Sequence, residues 1–306
     1  GRYTTDITAG QTRSLIRKYS KGEQPWFIWW TPVAPHHGTA IEGDDPGSVR
    51  RDDGKYTNFV TPARPDRVKG LFDKQITHGL GIPLDKASEA DISDKPRYLH
   101  VPPINGAEKE AIRTVSRQRA EALYVLDHQI GETISALSKQ GLLDQTIIIF
   151  TSDNGYYLGE HRKRQGKITL HEPSLRVPLI IAGPGVPQGD RYDPATTVDL
   201  APTIAAYAAA GFTSYDGMPL QDVITKGDEG WKRAVVTESL IPEARYAKTH
   251  HALGRQPLNV QGLRLGQWKL TRYSVGYEKE LYDLQADPLE LNSLHRNPSY
   301  QGVLKT

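Results

Sequence analysis

Three short apolar runs, each bounded by proline, glycine or polar residues, predict strands buried on both faces. They cover residues 26–31, 146–151 and 177–182. Pro178 lies near the start of the third run, where a strand tolerates proline. Uncharged runs of this kind are typical of a parallel sheet covered on both sides by helices.

A longer periodic pattern predicts a helix over residues 107–140. Its apolar residues recur at spacings of three, four or eight and form one stripe: Ile112, Val115, Leu123, Leu126, Ile130, Ile134 and Leu137. Asn105 suits the N-cap, and Gly141 supplies a C-terminal stop. Shorter helices are predicted over residues 8–19 and 199–210.

The strand–helix–strand order predicts an α/β fold with a mainly parallel sheet flanked by helices. Residues 32–105 are rich in Pro, Gly and Asp and show little periodicity, which is typical of a functional or ligand-held segment. After residue 230 the pattern changes to short alternating runs, which predict a small antiparallel sheet: residues 234–238, 262–265, 268–273 and 280–284. We therefore expect a main α/β domain over residues 1–230 and a C-terminal α+β subdomain over residues 231–306.

Charge and composition narrow the class of protein. The 306 residues include 38 Lys+Arg and 36 Asp+Glu, and this net charge of +2, without a long basic run, argues against a nucleic-acid partner. Without cysteine, the chain holds no disulfide, thiolate zinc site or Cys nucleophile. Its apolar runs are far shorter than the ~20 residues that span a bilayer, so no membrane partner is predicted. The densest basic cluster, residues 162–164, fits a solvated loop or an anion-attracting patch equally well.

Polar residues follow two of the predicted strands, where ligands collect in parallel α/β sheets. His36 follows the first strand, and Asp153 and Asn154 follow the second. A carboxylate beside a carboxamide suits calcium, which takes about six to eight oxygens. Lys167 follows shortly after, and an ammonium near a divalent cation requires an anion between them. Taken singly, each residue also fits an ordinary turn or a solvated side chain.

Several segments, in the family's order, resemble the type I sulfatases of the alkaline-phosphatase-like superfamily. Residues 149–161 (Ile-Phe-Thr-Ser-Asp-Asn-Gly-Tyr-Tyr-Leu-Gly-Glu-His) resemble the second metal-binding segment of that family, and the likeness continues through Gly166-Lys167. Further segments match as well: residues 34–36, 91–96, 172–181, 198–203 and 280–290. The Ser-Asp-Lys-Pro segment and the long helix after it resemble the N-acetylglucosamine-6-sulfatase branch.

This resemblance implies a role for each candidate residue. Asp153 and Asn154 would be calcium ligands, and Lys167 would contact a sulfate oxygen. His36 would approach the bridging ester oxygen and help the leaving group depart. His161 would line the substrate pocket. Together, one cation and one ammonium would stabilise the charge that develops on a sulfate ester.

The nucleophile segment of that family has no counterpart in these residues. Type I sulfatases attack sulfur with a formylglycine hydrate made within Cys/Ser-x-Pro-Ser-Arg, but this sequence contains no Pro-Ser-Arg. Residues 44–45 and 52–53 are Asp-Asp pairs like the family's tandem Asp ligands. Neither pair follows a predicted buried strand; both lie in a polar loop and are predicted to be solvated. The family order implies that the nucleophile, the remaining calcium ligands and a first lysine lie upstream of Gly1. We therefore expect the chain to work with an upstream part of the same protein and to be inactive alone.

The favoured interpretation is a formylglycine-dependent sulfuric-ester hydrolase acting on a sulfated small molecule or carbohydrate. One alternative is a phosphodiesterase or phosphonate hydrolase of the same superfamily. The other is a noncatalytic protein that binds sugars or anions on the same scaffold. By family analogy, such an enzyme is expected to act outside the cytoplasm, in the periplasm or as a secreted protein.

Overall fold

The computed structural model describes residues 3–38, 41–81, 89–211, 216–228, 230, 233–240, 259–274 and 278–305. Its helices are α1 Thr4–Tyr19, α2 Gly106–Lys139, α3 Glu172–Leu175, α4 Leu200–Tyr207 and α5 Gln221–Lys226. Its strands are β1 Ser48–Arg50, β2 Tyr56–Asn58, β3 Ile148–Thr151, β4 Leu179–Ala182, β5 Val235–Leu240, β6 Asn259–Leu265, β7 Trp268–Tyr273 and β8 Lys279–Asp283.

Helix α2 is the longest element and organises the main core. It begins with a capping box in which Asn105 Oδ1 accepts from Glu108 N at 3.0 Å and Glu108 Oε2 accepts from Asn105 N at 3.1 Å. It ends before Gly141, whose φ of +67° favours glycine. Its buried face includes Ile112 and Val115, which pack with Phe59. The helix predicted from the apolar stripe is confirmed.

Strands β3 and β4 lie at the predicted positions but pair in antiparallel fashion, with Ile149 opposite Ile181. In the described part of the chain every strand pair is antiparallel, so the mainly parallel sheet is not found there. Burial on both faces is not found either, because β3 is half-buried throughout and three of the four residues of β4 are exposed. An apolar run carries no information on which strands lie alongside or in which direction they run, which explains the difference. The α/β mixture of helices and strands is confirmed.

The predicted strand over residues 26–31 is wrong for the described structure. The segment is extended but pairs with none of the described strands. Its side chains alternate between half-buried and exposed, and Phe27 and Trp29 are 66% and 81% exposed. Burial on both faces requires a neighbouring strand, which the described residues do not supply here; α1 contacts one side only, where the indole N–H of Trp30 donates to the hydroxyl of Thr8 at 3.0 Å.

The predicted C-terminal antiparallel sheet is confirmed, with strand order β5-β6-β7-β8. Contacts cross the predicted domain boundary near residue 230: Arg233 pairs with Asp199, and Lys95 Nζ donates to the carbonyl of Leu291 at 2.5 Å. The boundary itself stays a prediction. Among the described helices, none combines the length and the apolar character that a membrane crossing needs.

Candidate active site

The turn that follows β3 carries Asp153 and Asn154. Gly155 N donates to the carbonyl of Ser174 at 2.8 Å, which ties this turn to α3. A Cβ at Gly155 would lie 2.1 Å from the carbonyl oxygen of Pro173. Glycine is therefore required here for close backbone approach, and any larger residue would push α3 away from the turn.

Lys167 reaches the same turn from a loop that returns beside it. Its Nζ donates to Asn154 Oδ1 at 2.9 Å, while Asp153 Oδ1 accepts from the backbone N–H of Asn154 at 3.0 Å. Asp153 is exposed, and the other two side chains are half-buried. The structure thus brings the three predicted residues together at the end of β3.

The backbone beside Lys167 is strained. Ile168, a β-branched residue, has a φ of +100°, and Gly166 on the other side has a φ of +117°. A hydrogen bond from Tyr157 N to the carbonyl of Gly166, at 2.8 Å, closes the base of this loop. Strain of this kind is stored at functional sites when the surrounding structure holds it in place, so the geometry fits a lysine that is presented to a ligand.

His36 lies in an exposed loop at the same edge. Its Nδ1 donates to the carbonyl of His37 at 3.0 Å, and the two rings lie 4.2 Å apart. Burial lowers the pKa of His37, and the charges of His36 and Lys167 lower it further. Arg119 joins this loop to the turn after β3, because its Nη1 donates to the carbonyl of Pro35 at 3.0 Å and its guanidinium lies 4.2 Å from the centre of the Tyr156 ring. The two segments that are distant in sequence therefore meet at one edge, although the roles assigned to their side chains stay predictions.

His161 is buried in the described structure, and the substrate-pocket role predicted for it stays a prediction. Its side chain is 2% exposed, its Nδ1 lies 2.9 Å from Glu89 Oε1, and its ring stacks on His171 at 4.2 Å. Burial by itself would lower the pKa of His161, but the hydrogen bond and charge of Glu89 raise it. The buried position of His161 is stabilised by its contact with the carboxylate of Glu89, 72 positions earlier in the sequence.

His171 extends this buried cluster to the C-terminal sheet. Its Nδ1 lies 3.0 Å from the hydroxyl of Tyr157, and its Nε2 lies 3.2 Å from Glu280 Oε1. Glu280 also accepts from the hydroxyls of Tyr273 and Tyr282. We call Glu89, His161, His171 and Glu280 the histidine cluster.

The basic run at residues 162–164 is neither a solvated loop nor an anion-attracting patch. Arg162 Nη1 donates to the carbonyl of Val101 at 2.8 Å, and Arg164 Nε donates to Glu108 Oε1 at 2.7 Å. Burial lowers the pKa of Lys163 to about 8. The run holds its loop against the start of α2.

The tandem aspartates are exposed or half-buried, but they are not simply solvated. Asp44 pairs with Arg64, and Asp53 Oδ2 lies 2.9 Å from Arg51 Nη2. Asp45 Oδ1 accepts from the hydroxyl of Thr61 at 2.6 Å. These carboxylates stabilise the loop over residues 41–65 by ion pairs and hydrogen bonds, which corrects the solvated interpretation.

The turn after β3 fits part of a calcium site. Asp153 and Asn154 offer side-chain oxygens, the donors that a hard cation prefers. In the ranges that the structure describes, no group of three or more His, Cys, Asp or Glu side chains could hold a metal ion. The two residues would therefore supply a minority of the ligands that calcium requires.

Two residues at this edge were missed by sequence reasoning. Arg119 Nη1 donates to the carbonyl of Pro35 at 3.0 Å, and its guanidinium lies 4.2 Å from the centre of the Tyr156 ring. The signal was present in the stripe of α2. Val115 and Leu123 are eight residues apart, and Arg119 occupies the middle of that gap, where a further apolar residue belongs.

Two family models match this chain. The family model "Sulfatase" matches residues 1–210, and the model "N-sulphoglucosamine sulphohydrolase, C-terminal" matches residues 159–306. The chain belongs to the sulfatase family.

Two relatives illustrate the range of the family. An arylsulfatase from Volvox carteri is 30% identical over 328 residues, covering 96% of this chain and 48% of the relative. A choline-sulfatase from Rhizobium meliloti is 36% identical over 194 residues, covering 62% of this chain and 35% of the relative. The chain thus spans about half the length of the algal relative, or less of the bacterial one.

Solved structures support the alkaline-phosphatase-like fold. The structure of BT4656 in complex with its substrate, D-glucosamine-2-N,6-O-disulfate, superposes with a TM-score of 0.73 at 21% identity and covers 99% of this chain and 67% of its own. The phosphonate monoester hydrolase of Agrobacterium radiobacter superposes with a TM-score of 0.61 at 25% identity, covering 98% and 59%. The fold class that the resemblance implied is confirmed.

Proposed function

We propose that the protein hydrolyses sulfate esters and that this chain supplies one half of the active site. The observation that carries the proposal is the contact of Lys167 Nζ with Asn154 Oδ1 beside the exposed carboxylate of Asp153. The ammonium of Lys167 lies next to side-chain oxygens of the kind that bind hard cations, and His36 lies at the same edge. This arrangement suits a negatively charged substrate. A sulfate ester is such a substrate.

Asp153 and Asn154 are proposed to hold part of a calcium ion. When bound, calcium would supply positive charge that stabilises the developing charge on the sulfate. Lys167 would turn from Asn154 towards a sulfate oxygen, because its ammonium and the cation repel each other. Its contribution is that of one positioned oxyanion donor.

His36 is proposed to protonate or hydrogen-bond the departing alcohol. Its ring is exposed, and its Nδ1–H donates to the carbonyl of His37, which leaves Nε2 available on the solvent side. General acid assistance matters most when the leaving alcohol is a poor leaving group.

The proposed reaction also needs a nucleophile, which the family forms as formylglycine in a Cys/Ser-x-Pro-Ser-Arg segment. We use "the complete enzyme" for a form of the protein that carries both this chain and such a segment. Finding that segment in the same gene would support the sulfatase proposal over a noncatalytic sugar- or anion-binding protein.

A sulfated carbohydrate is the proposed substrate class. An N-acetylglucosamine-6-O-sulfatase from Bacteroides thetaiotaomicron, 30% identical over 191 residues, supports this proposal, and so does the sugar disulfate bound by BT4656. We also propose an extracytoplasmic location, which rests on the family resemblance alone.

A second candidate is hydrolysis of phosphonate monoesters or phosphodiesters. It is favoured by the likeness to the phosphonate monoester hydrolase of Agrobacterium radiobacter, which the chain matches over 98% of its length. A metal ion, a lysine and a histidine would serve either ester, so the geometry of the described residues suits both.

The test compares kcat/KM of the complete enzyme on nitrophenyl sulfate, on an aryl phosphonate monoester and on an aryl phosphodiester. We expect the sulfate to be the best substrate by at least about 10-fold, which corresponds to about 1.4 kcal/mol of transition-state binding. A preference for the phosphonate or the phosphodiester would favour the second candidate. Lack of turnover on all three, with sulfated sugars still bound, would favour the noncatalytic interpretation.

A further inference from the structure

Arg119 stands out among the arginines of this molecule. It lies on α2, a helix of 34 residues, and its side chain is half-buried within the apolar stripe. Burial lowers its pKa, so the charged form is held at a cost. Two buried arginines, Arg64 and Arg164, bind carboxylates, and the buried Arg162 binds backbone carbonyls. Arg119 differs from them in combining a backbone carbonyl with the face of an aromatic ring.

Both partners of Arg119 adjoin the candidate active site. The carbonyl that accepts from it belongs to Pro35, which immediately precedes His36. The ring beneath its guanidinium belongs to Tyr156, two residues after Asn154. One planar group therefore touches the two segments that carry the proposed leaving-group residue and the proposed calcium ligands.

We propose that Arg119 is a positioning residue that fixes His36 relative to Asp153 and Asn154. Arginine suits this role because its guanidinium is flat, stays charged, stacks on an aromatic face and donates along its edge at the same time. Its anchor is a long, capped helix, and a side chain on a helix is positioned more precisely than one on a loop. The catalytic consequence rests on the proposed function, whereas the link between the loops does not.

Arg117 provides a matched control on the same helix. It is also half-buried and donates to two backbone carbonyls, those of Ile76 at 2.8 Å and Asp73 at 2.6 Å. Neither carbonyl adjoins the site. Replacement of either arginine by methionine keeps an unbranched side chain and removes the hydrogen-bond donors. Arg119→Met removes the contact with the loop before His36, whereas Arg117→Met removes the contacts with residues 73 and 76.

The first measurement uses the 306-residue chain and does not depend on activity. Histidine ring signals are followed by NMR, with His36→Ala and His37→Ala used for assignment. We expect Arg119→Met to move the signals of His36 and His37, and Arg117→Met to leave them in place. Equal behaviour of the two variants would overturn the proposed link.

The second measurement uses the complete enzyme. We expect Arg119→Met to lower kcat by about 10- to 100-fold, the scale of a small misplacement of reacting groups, with little change in KM. The loss should be larger on a sugar sulfate than on nitrophenyl sulfate, because it acts through His36. Arg119→Lys should recover only part of the loss, since an ammonium cannot stack and donate in the same way.

The outcomes separate the two proposals. If no ester is hydrolysed but Arg119→Met still moves the signals of His36 and His37, the proposed function fails and the positioning role stands. If the complete enzyme is an active sulfatase but Arg119→Met behaves as Arg117→Met does, the positioning role fails alone. Full recovery by Arg119→Lys, or a change in KM only, would also overturn it.

Discussion

Two polar clusters share the loop that follows β3, and they have opposite surroundings. We call Asp153, Asn154 and Lys167 the accessible end, a name that refers to solvent exposure and not to sequence order. Lys167 has one hydrogen bond to Asn154, and Asp153 is exposed. His161 and His171 lie at the buried end, 2% and 1% exposed, between the carboxylates of Glu89 and Glu280. Lys167 lies only six positions after His161 in the sequence.

The difference indicates a division of labour within one loop. A buried charge is tolerated only when partners compensate it, and the histidine cluster supplies those partners from the C-terminal sheet and from the segment at residue 89. The accessible end has fewer partners, so its charges can respond to a ligand. The experiments below test whether the two ends can be separated, beginning with the largest expected effect.

Asp153→Ala should abolish turnover in the complete enzyme while leaving the fold intact. The variant removes a proposed anionic calcium ligand, but its side chain is exposed and its hydrogen bonds are to neighbouring residues, so the free energy of unfolding should change by no more than about 0.5 kcal/mol. Activity is measured after chelation and after calcium is added back. Asp144→Ala, another exposed aspartate just before β3, is the matched control.

Full activity of Asp153→Ala after calcium is restored would contradict the proposed site. A large loss of stability in the variant would instead show that the accessible end also supports the fold, and the contrast between the two clusters would then be weaker than the contacts indicate.

His36→Ala should lower kcat/KM on a sugar sulfate by about 100- to 10,000-fold, the usual range for loss of a general acid. The loss should be smaller on nitrophenyl sulfate, because its phenolate departs without a proton. His37→Ala should be mild on both substrates, because no role in the reaction is proposed for its ring and the backbone carbonyl that accepts from His36 Nδ1 is retained in the variant. Equal losses on the two substrates would mean that His36 only positions the sulfate. A larger loss in His37→Ala than in His36→Ala would mean that His37 is the histidine that assists the leaving group.

The sequence predicted the accessible end better than the buried one. Asp153 and Asn154 directly follow a recognisable strand, so their location at its end needs only local information. The burial of His161 depends on Glu89, and that of His171 on Glu280, 109 residues further along. Such pairs are products of tertiary packing and leave no local pattern.

The same reasoning explains the errors in the sheet. The apolar runs at residues 146–151 and 177–182 were correctly placed as strands, whereas the run at residues 26–31, which has the same kind of local pattern, pairs with none of the described strands. Their antiparallel pairing and the exposure of Phe27 and Trp29 depend on which strands lie alongside, and hydrophobicity does not encode this.

Lys167→Ala should lower kcat/KM for sulfate esters by about 100- to 1,000-fold, the scale for deletion of one oxyanion donor. Lys167→Arg should recover little of this, because a planar fork replaces a compact charge. Lys139→Ala, at the end of α2 and exposed, is the control for a lysine without a site partner. A change within error for Lys167→Ala would return this residue to the class of solvated loop side chains.

The smallest effect on activity, but a clear one on stability, is expected at the buried end. Burial opposes ionisation of Glu280, yet His171 and the two tyrosine hydroxyls outweigh it and bring the pKa of Glu280 to about 2. A lowered carboxyl pKa stabilises the folded state above the ordinary value of 4.5, and this contribution is lost as the pH falls from there to about 2. Its size is about 3 kcal/mol.

Near neutral pH, His161 and His171 should change the free energy of unfolding with pH in opposite directions. Burial and the charge of His161 lower the pKa of His171, so its contribution is lost as the pH falls through the ordinary value of 6.5. The raised pKa of His161 stabilises the folded state below 6.5 and is lost as the pH rises through the folded value. The net slope between pH 6 and 7 should therefore be shallow, and the steep loss should come below about pH 4.5.

Denaturant unfolding of the chain from pH 3 to 8 measures this, with Glu280→Gln compared with Glu238→Gln. Glu238 lies in the same sheet and is exposed, so its variant should follow the wild type at every pH. Glu280→Gln should be less stable by about 3 kcal/mol at pH 7, and the gap should narrow between pH 4.5 and pH 3 as the wild-type carboxylate loses part of its advantage. If the difference in free energy of unfolding between the wild type and Glu280→Gln stays constant with pH, the loss comes from packing. The charges of the histidine cluster would then contribute nothing to stability.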